Sequence, residues 1–456
     1  MAEFKVKFED TICSLLEERK FSTIKDILST MAASDITALF ERVDEKQVPV
    51  IFRLLSKDNA ADVFVEMDND FQELLIKSFS DSELKSILDE LYAADAADLI
   101  EEMPANVVDR ILSQIDTDTR KEINQLLQYP EDSAGSIMTT EYVSLCLGTT
   151  VGEAINHIRK TGVNNRAFYT CYITQNKKLV GRLSVKDLLL AKDDSVKIDE
   201  LVKRDVISVN TLDDKEQVAK MLSKYNFFAI PVVDSDVRMV GIISFDDALE
   251  VMEDEATEDI EIMGGMTPSE KTYLRSTPLD LFKHRIIWLL LLMVSATFTG
   301  MIITNFESAL AVQVVLTAFI PMLMDTGGNS GSQSSVTIIR ALSLGEVEFR
   351  DLPTVVWKEI RTAVLCGITL ASACFVKLLV VDRLLLRNTS VTPFVMLVVC
   401  LTMACTVLVA KIIGCVLPMC ARKMNLDPAV MASPFITTIV DAVSLLVYFT
   451  IANTVL

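Results

Sequence analysis

Along the first 128 residues, apolar side chains recur every three to four positions with no strict alternation, the period of packed α-helices. Within that stretch NAADVFVEMDND at 59–70 returns as DAADLIEEMPAN at 95–106, a shift of 36 residues that predicts stacked helical hairpins. Pro104 and Pro130 punctuate the series. From 138 to 250 the pattern changes, and short β-rich runs such as YTCYI and FAIPVV alternate with helical stretches. A second repeat lies here: LVGRLSVKDLL at 179–189 aligns with MVGIISFDDAL at 239–249, a shift of 60. Each copy reads as a strand, a Gly-containing turn, a strand and an Asp-led helix, with Val180/Val240 and Gly181/Gly241 in register.

Beyond residue 280 the chain turns apolar. A bilayer-spanning helix needs about 20 mostly apolar residues. Ile286–Thr304 meets that length, as do roughly Ala363–Val381, Phe394–Leu417 and Ala429–Thr454. A further run begins near Ser308, continues through AVQVVLTAFIPMLM, and passes into the small, polar DTGGNSGSQSSVTIIRAL. The pattern predicts a five-helix, all-α transmembrane domain over 281–456, behind an α-helical domain over 1–128, an α/β repeat pair over 129–195 and 196–250, and a connector over 251–280.

Charge divides the chain at the same place. Residues 1–270 carry 29 Lys+Arg against 53 Asp+Glu, and residues 271–456 carry 14 against 10. Water is the solvent of the first part and lipid that of the second. The acidity argues against nucleic acid as a partner, since phosphates call for Lys and Arg. The nine Cys show no metal-ligand spacing, and two His leave little for a His-based site. No nucleophile–base pair or phosphate loop stands out, so an enzyme is the least favoured class. The opening MAEFKVKFED has no apolar core after a basic start, so no secretory leader is expected. Lys283 and Arg285 before the first span, Arg350, Lys358 and Arg361 between the second and third, and Arg422 and Lys423 between the fourth and fifth place those ends in the cytoplasm. The N-terminus is then cytoplasmic and the C-terminus outside.

Two carboxylates fall within the predicted spans. Asp441 lies near the middle of the fifth, with Thr437, Thr438, Ser444 and Ser433 at helical spacing and Pro434 expected to free a backbone carbonyl. Such oxygens suit Mg²⁺ or Ca²⁺. The competing reading is a neutral carboxyl bonded to a neighbouring helix. Asp325 opens the polar stretch of the second span, where Asn329 and Gln333 suit either a hydrated ion or helix packing. Lys377 is expected to reach outward to the interface, and Lys411 to face away from a cation path. Before the first span, EVMEDEATEDIEIMGGM packs Glu250, Glu253, Asp254, Glu255, Glu258, Asp259 and Glu261 onto one predicted helix. Like charges three and four apart repel. A solvated face and a helix loaded with divalent ions both accommodate them.

The 179–249 repeat has the pattern of a tandem CBS pair. The order of helical domain, CBS pair, acidic connector and five spans resembles the MgtE magnesium transporters, as do YPEDSAGSIMTTEYVSL (129–145), EATEDI (255–260), GGNSGSQS (327–334) and LDPAVMASPFITTIVDAVSLLVYF (426–449). The resemblance covers essentially the whole chain. It implies a homodimeric Mg²⁺ channel of the bacterial inner membrane, with Asp441 and the oxygens near Ala429–Thr438 lining the ion site. It further implies that cytosolic Mg²⁺ binds acids between the soluble domains and the connector, closing the pore. The candidate regulatory acids are Asp95, Asp98, Glu101 and Glu102 of the helical domain, with Asp246, Asp247, Glu255, Glu258 and Asp259 of the CBS pair and connector. In some members the CBS unit binds ATP, which stays open for this chain. A proton-coupled divalent-cation transporter and a membrane-anchored nucleotide sensor are the rival readings.

Overall fold

The computed structural model describes residues 11–16, 18–161, 168–269, 273, 276–306 and 314–455. The start of the predicted second span, 308–313, and the side chain of Ser433 lie outside them. The chain divides into two compact units, Met1–Glu253 and Asp254–Leu456.

The first unit begins with a series of short helices running from Phe21–Leu28 to Thr117–Leu126. Local chemistry starts several of them. Ser80 and Glu83 form a reciprocal capping box at Asp81–Leu88, and the Asp116 side chain accepts from the backbone N–H groups of Asp118 and Thr119 at Thr117–Leu126. The 36-residue echo falls on the same helix–turn–helix twice. Its copies cover Lys57–Val65 into Asn69–Ser78, and Ala93–Glu102 (α1) into Ala105–Gln114. Equivalent residues are buried in both, Val63 with Leu99, Phe64 with Ile100 and Met67 with Met103, so the repeat is a repeat of packing.

The α/β region holds two sheets of identical plan. In the first, Ser144–Cys146 (β1) pairs parallel with Thr170–Gln175 (β2), which pairs antiparallel with Lys178–Ser184 (β3). In the second, Val209–Asn210 (β4), Ala229–Val233 (β5) and Met239–Ser244 (β6) repeat the order and directions. The register shifts at Ile173/Thr174 and again at Val232/Val233. The paired glycines have steric reasons. A Cβ on Gly181 would come 2.3 Å from Val202 Cγ1, and one on Gly241 would come 2.7 Å from the Thr139 carbonyl. The Asp-led helix of the second copy does not end with the domain. It continues unbroken as Phe245–Met263 (α2), so the expected boundary at 250 falls inside one helix.

The second unit is all-helical: Pro278–Asn305 (α3), Ile320–Ser343 (α4), Leu352–Lys377 (α5), Pro393–Lys423 (α6) and Ser433–Val455 (α7). Among the described residues four helical stretches are long and apolar enough to cross a membrane: Pro278–Asn305, Phe349–Leu385, Pro393–Lys423 and Pro428–Val455. Helix α4 has the length, at 24 residues and roughly 1.5 Å each. Its polar centre separates it from the other four. The third and fourth helices extend past the apolar windows. Helix α5 begins at Leu352, eleven residues before the predicted Ala363, and passes into a wide π-helical turn at Leu378–Leu385.

Candidate ion path and acidic cluster

Helices α4, α6 and α7 approach through small residues. A Cβ on Gly414 would come 2.3 Å from the Gly331 carbonyl, and one on Gly327 would come 2.6 Å from Thr406 Cγ2. At Gly328 it would meet Thr437 Cγ2 at 3.0 Å and Asp441 Oδ1 at 3.7 Å. The glycines of the polar stretch therefore serve packing, and their packing brings Asp441 against α4. The polar residues between them line the adjoining, exposed side of α4. Asp325, Asn329 and Gln333 recur at i, i+4 and i+8 and are all exposed, with Asn329 Nδ2 donating to Asp325 Oδ1 at 3.0 Å. Asp325 is also an electrostatic neighbour of Asp441.

Asp441 is half-buried and, among the described residues, takes no hydrogen bond and forms no ion pair. A carboxylate bonded to a neighbouring helix is therefore not what the structure contains. The hydroxyls expected around it are used differently. Thr437 and Thr438 both donate to the Pro434 carbonyl, at 2.9 and 3.0 Å. Pro434 itself sits in the first turn of α7, where a missing N–H breaks no helical bond, so it does not loosen the helix interior as expected. Ala429 is fully buried in a short 3₁₀ turn, its N–H on Asp427 Oδ1 and its carbonyl accepting from the Ala432 N–H. The neighbouring Met431 carbonyl accepts from Ser335 Oγ at 2.7 Å.

The segment after the acidic helix is fastened to the same bundle. Gly265, at φ +70°, lies so near Pro434 that a Cβ would come 2.9 Å from its Cγ. The Thr267 N–H donates to the His284 carbonyl at 2.9 Å, and His284 Nδ1 donates back to the Thr267 carbonyl at 3.1 Å. Sequence reasoning passed over Gly265, Thr267 and His284, because a lone glycine and a lone histidine carry no spacing signal.

Both lysines of the spans find partners. Lys377 Nζ meets Asp382 Oδ2 at 2.8 Å and lies 5.5 Å from the Phe319 ring centroid, so it is paired within the unit rather than reaching outward alone. Lys411 is only 5% exposed and donates to Ser334 Oγ.

In the first unit, α1 presents Asp95, Asp98, Glu101 and Glu102 together, and Glu250 of α2 joins them. Asp98 keeps a solvent-exposed edge but stands in a crowded crevice. Loss of hydration, and then the charges of Asp95, Glu102, Glu101 and Glu250, push its carboxyl from 3.8 up to about 7. Glu101 is raised too, by burial and by Glu131. Glu250 was legible only as one acid in a run of many. Asp247 has a second duty, accepting from the Ser244 backbone N–H at 3.1 Å and from Ser244 Oγ at 2.7 Å at the start of α2. Asp246 is exposed at the same end, and Glu255, Glu258 and Asp259 follow two to four turns along α2. Among the described residues no three His, Cys, Asp or Glu converge closely enough to hold an ion directly. Arg182, Phe227 and Tyr172 border a crevice between the sheets with only about 10 Å³ of free space, far below the roughly 300–1,000 Å³ of small-molecule pockets.

A multi-helix bundle with an unpaired intramembrane carboxylate, carried behind an acidic soluble region, defines a membrane transporter of cations. Comparison with known proteins agrees. The family model described as divalent cation transporter matches residues 320–451, the MgtE intracellular N domain matches 31–132, and the CBS domain matches 134–194 and 198–254. The magnesium transporter MgtE of Thermus thermophilus is 33% identical over 447 residues, 97% of each chain. That of Bacillus subtilis is 30% identical over 97% of this chain and 96% of its own. The solved cytosolic domain of the Mg²⁺ channel MgtE in complex with ATP is 31% identical, with a TM-score of 0.51, and spans 53% of this chain and 99% of that one. The chain belongs to the MgtE family, whose members are transporters and not enzymes.

Proposed function

We propose that this chain is a homodimeric, Mg²⁺-selective channel that admits Mg²⁺ through a bacterial cytoplasmic membrane and closes when cytosolic Mg²⁺ is high. The observation that carries the reading is the polar stripe of α4 beside Asp441. Asp325, Asn329 and Gln333 point out of the chain from a helix set among apolar spans. Lipid cannot solvate them, so water or a second copy must. A two-fold axis along this face provides both, with two Asp441 carboxylates flanking one aqueous path. Mg²⁺ sheds its hydration reluctantly, so outer-shell contacts to carboxylates and carbonyl oxygens suit it. No nucleotide-hydrolysis loop is present in the sequence, and movement follows the electrochemical gradient. The Lys and Arg pattern puts the N-terminus in the cytoplasm and the C-terminus outside.

Closure follows from the acids. Mg²⁺ bridging Asp95, Asp98, Glu101 and Glu102 to Asp246, Asp247, Glu255, Glu258 and Asp259 favours one arrangement of the soluble region, and its loss lets the carboxylates repel. The relatives named as magnesium transporters and the Mg²⁺ channel support the choice of ion. The ATP in that solved relative supports a modulating nucleotide at the CBS crevice beside Arg182, which must widen to admit it.

The test is Mg²⁺ influx into proteoliposomes. Asp441→Ala should insert normally and cut influx at least tenfold, on the scale of removing a pore charge. Normal influx would take Asp441 out of the path, and influx tracking a proton gradient at fixed voltage would replace the channel with a proton-coupled carrier.

A further inference from the structure

The second unit contains a buried polar network that the ion path itself does not use. Lys411 of α6 and Ser334 of α4 are 5% and 2% exposed. Lys411 Nζ donates to Ser334 Oγ at 3.3 Å, and Ser334 Oγ donates to Glu359 Oε2 of α5 at 2.7 Å. A single hydroxyl thus joins an ammonium to a carboxylate across three helices. Cys415, one turn along α6, feels both charges. Glu359 escaped the sequence reading because the apolar window of the third span opened at Ala363, which left this residue among the flanking charges.

The three groups lie at one level. Ser334 is nine residues from the end of α4 at Ser343, Lys411 twelve from the end of α6 at Lys423, and Glu359 seven from the start of α5 at Leu352. At about 1.5 Å per residue each is roughly 10–18 Å inside its helix. One turn from the network, Gly331 and Gly414 bring the α4 and α6 backbones into contact. Six residues from Ser334 on that same side, Gly328 meets Thr437 and Asp441. Two charges joined through one hydroxyl, with Lys411 buried and Glu359 half-buried, are a weak source of stability, since desolvation offsets most of their attraction. The best-attested use of buried polar groups is to fix register. Here register matters, because sliding α4 by one residue turns it about 100° and carries Asp325, the electrostatic neighbour of Asp441, to another side of the helix.

We propose that Lys411, Ser334 and Glu359 form a registry clamp that holds α4 where Asp325, Asn329 and Gln333 border the ion path, and that this clamp sets the preference for Mg²⁺ over monovalent cations. These are positioning residues and touch no ion. The inference rests on the reading of Asp441 and the α4 stripe as the path.

Full-length Ser334→Ala, Lys411→Met, Glu359→Gln and the double variant Lys411→Met/Glu359→Gln would be compared with wild type in proteoliposomes, reading Mg²⁺ influx, K⁺ leak and the melting temperature in detergent. Each single charge variant strands the other charge and should melt lower. The double variant removes both charges and should regain the wild-type melting temperature. It and Ser334→Ala should nonetheless lose about tenfold or more of the Mg²⁺/K⁺ ratio. Ser334→Thr, which keeps the hydroxyl, should keep the ratio. A wild-type ratio in folded Ser334→Ala and in the double variant would overturn the clamp, as would failure of both to fold, which would make the network a structural requirement alone. Asp441→Asn, run in parallel, separates the two readings. Unchanged influx in that variant removes the path assignment, whatever the clamp variants show.

Discussion

A carboxyl held near neutrality among other carboxylates responds to protons, and under the proposed closure would respond to divalent ions as well. Asp98 is such a group, raised to about 7 by desolvation and by Asp95, Glu102, Glu101 and Glu250. The native state therefore keeps a proton that the unfolded chain has released from a group of ordinary pKa 3.8. Its contribution favours folding fully below about pH 4 and is lost as pH rises through about 7. Hydrogen exchange of Ala93–Glu102 in the full-length protein, corrected for the intrinsic pH dependence, should show protection falling across that window without Mg²⁺. Asp98→Asn should flatten the profile, and Mg²⁺ at pH 7.5 should restore protection in wild type more than in the variant. A flat wild-type profile would remove Asp98 from the sensing cluster. Residues of this kind were half legible in the sequence. Asp95, Asp98 and Glu101 follow from their place in an acidic helix. Glu250 as their neighbour does not, because only the fold brings α2 to α1. The role of Pro434 was misread for a related reason, since a proline loosens a helix interior but not a first turn, and the helix start could not be placed to within a turn.

At the scale of elements, periodicity located what packing later used. The 36- and 60-residue repeats became repeated hairpins and repeated three-stranded sheets, and the glycines at 181 and 241 recur because a Cβ would strike a neighbour at both. Apolar windows found the spanning helices but clipped α5, whose first turns carry Trp357, Lys358, Glu359 and Arg361 and so read as interface. Helix α4 is the element where pattern and structure part most usefully. At its centre the buried face is glycine and serine, Gly327 to Ser335, and the exposed face is Asp325, Asn329 and Gln333, the reverse of a lipid-facing helix. If that face borders water, Asn329→Cys and Gln333→Cys should react rapidly with a membrane-impermeant thiol reagent, and Mg²⁺ should slow the reaction. Leu365→Cys, at an apolar residue of α5 that is itself 71% exposed, should stay unreactive. Equal reactivity at all three positions, measured against the background of the nine native cysteines, would deny α4 its aqueous side.

For the whole molecule, the excess of 24 acidic charges over residues 1–270 is what the proposed closure by Mg²⁺ would draw on. Like charges confined to one soluble region oppose compaction, and the opposition is screened by salt in general and cancelled by bound divalent ions in particular. A ligand shifts a two-state equilibrium only by its differential affinity for the two states, and under the proposed closure a site shared between the helical domain and the connector would exist in the compact state alone. Removing residues 1–128 would delete one half of every such proposed site and keep the helical bundle that carries Asp441. In proteoliposomes or patches, that deletion should leave Mg²⁺ currents at low cytosolic Mg²⁺ close to wild type, and should raise the internal Mg²⁺ needed for half inhibition about tenfold or more, the coupling expected of a few shared carboxylates. Matching the ionic strength with a monovalent salt should not restore inhibition, because screening weakens repulsion without rewarding one arrangement over the other. Inhibition unchanged by the deletion would place the sensor in α2 and the bundle alone, where the Gly265–Pro434 contact and the His284–Thr267 pair tie the segment after α2 to α7 and α3.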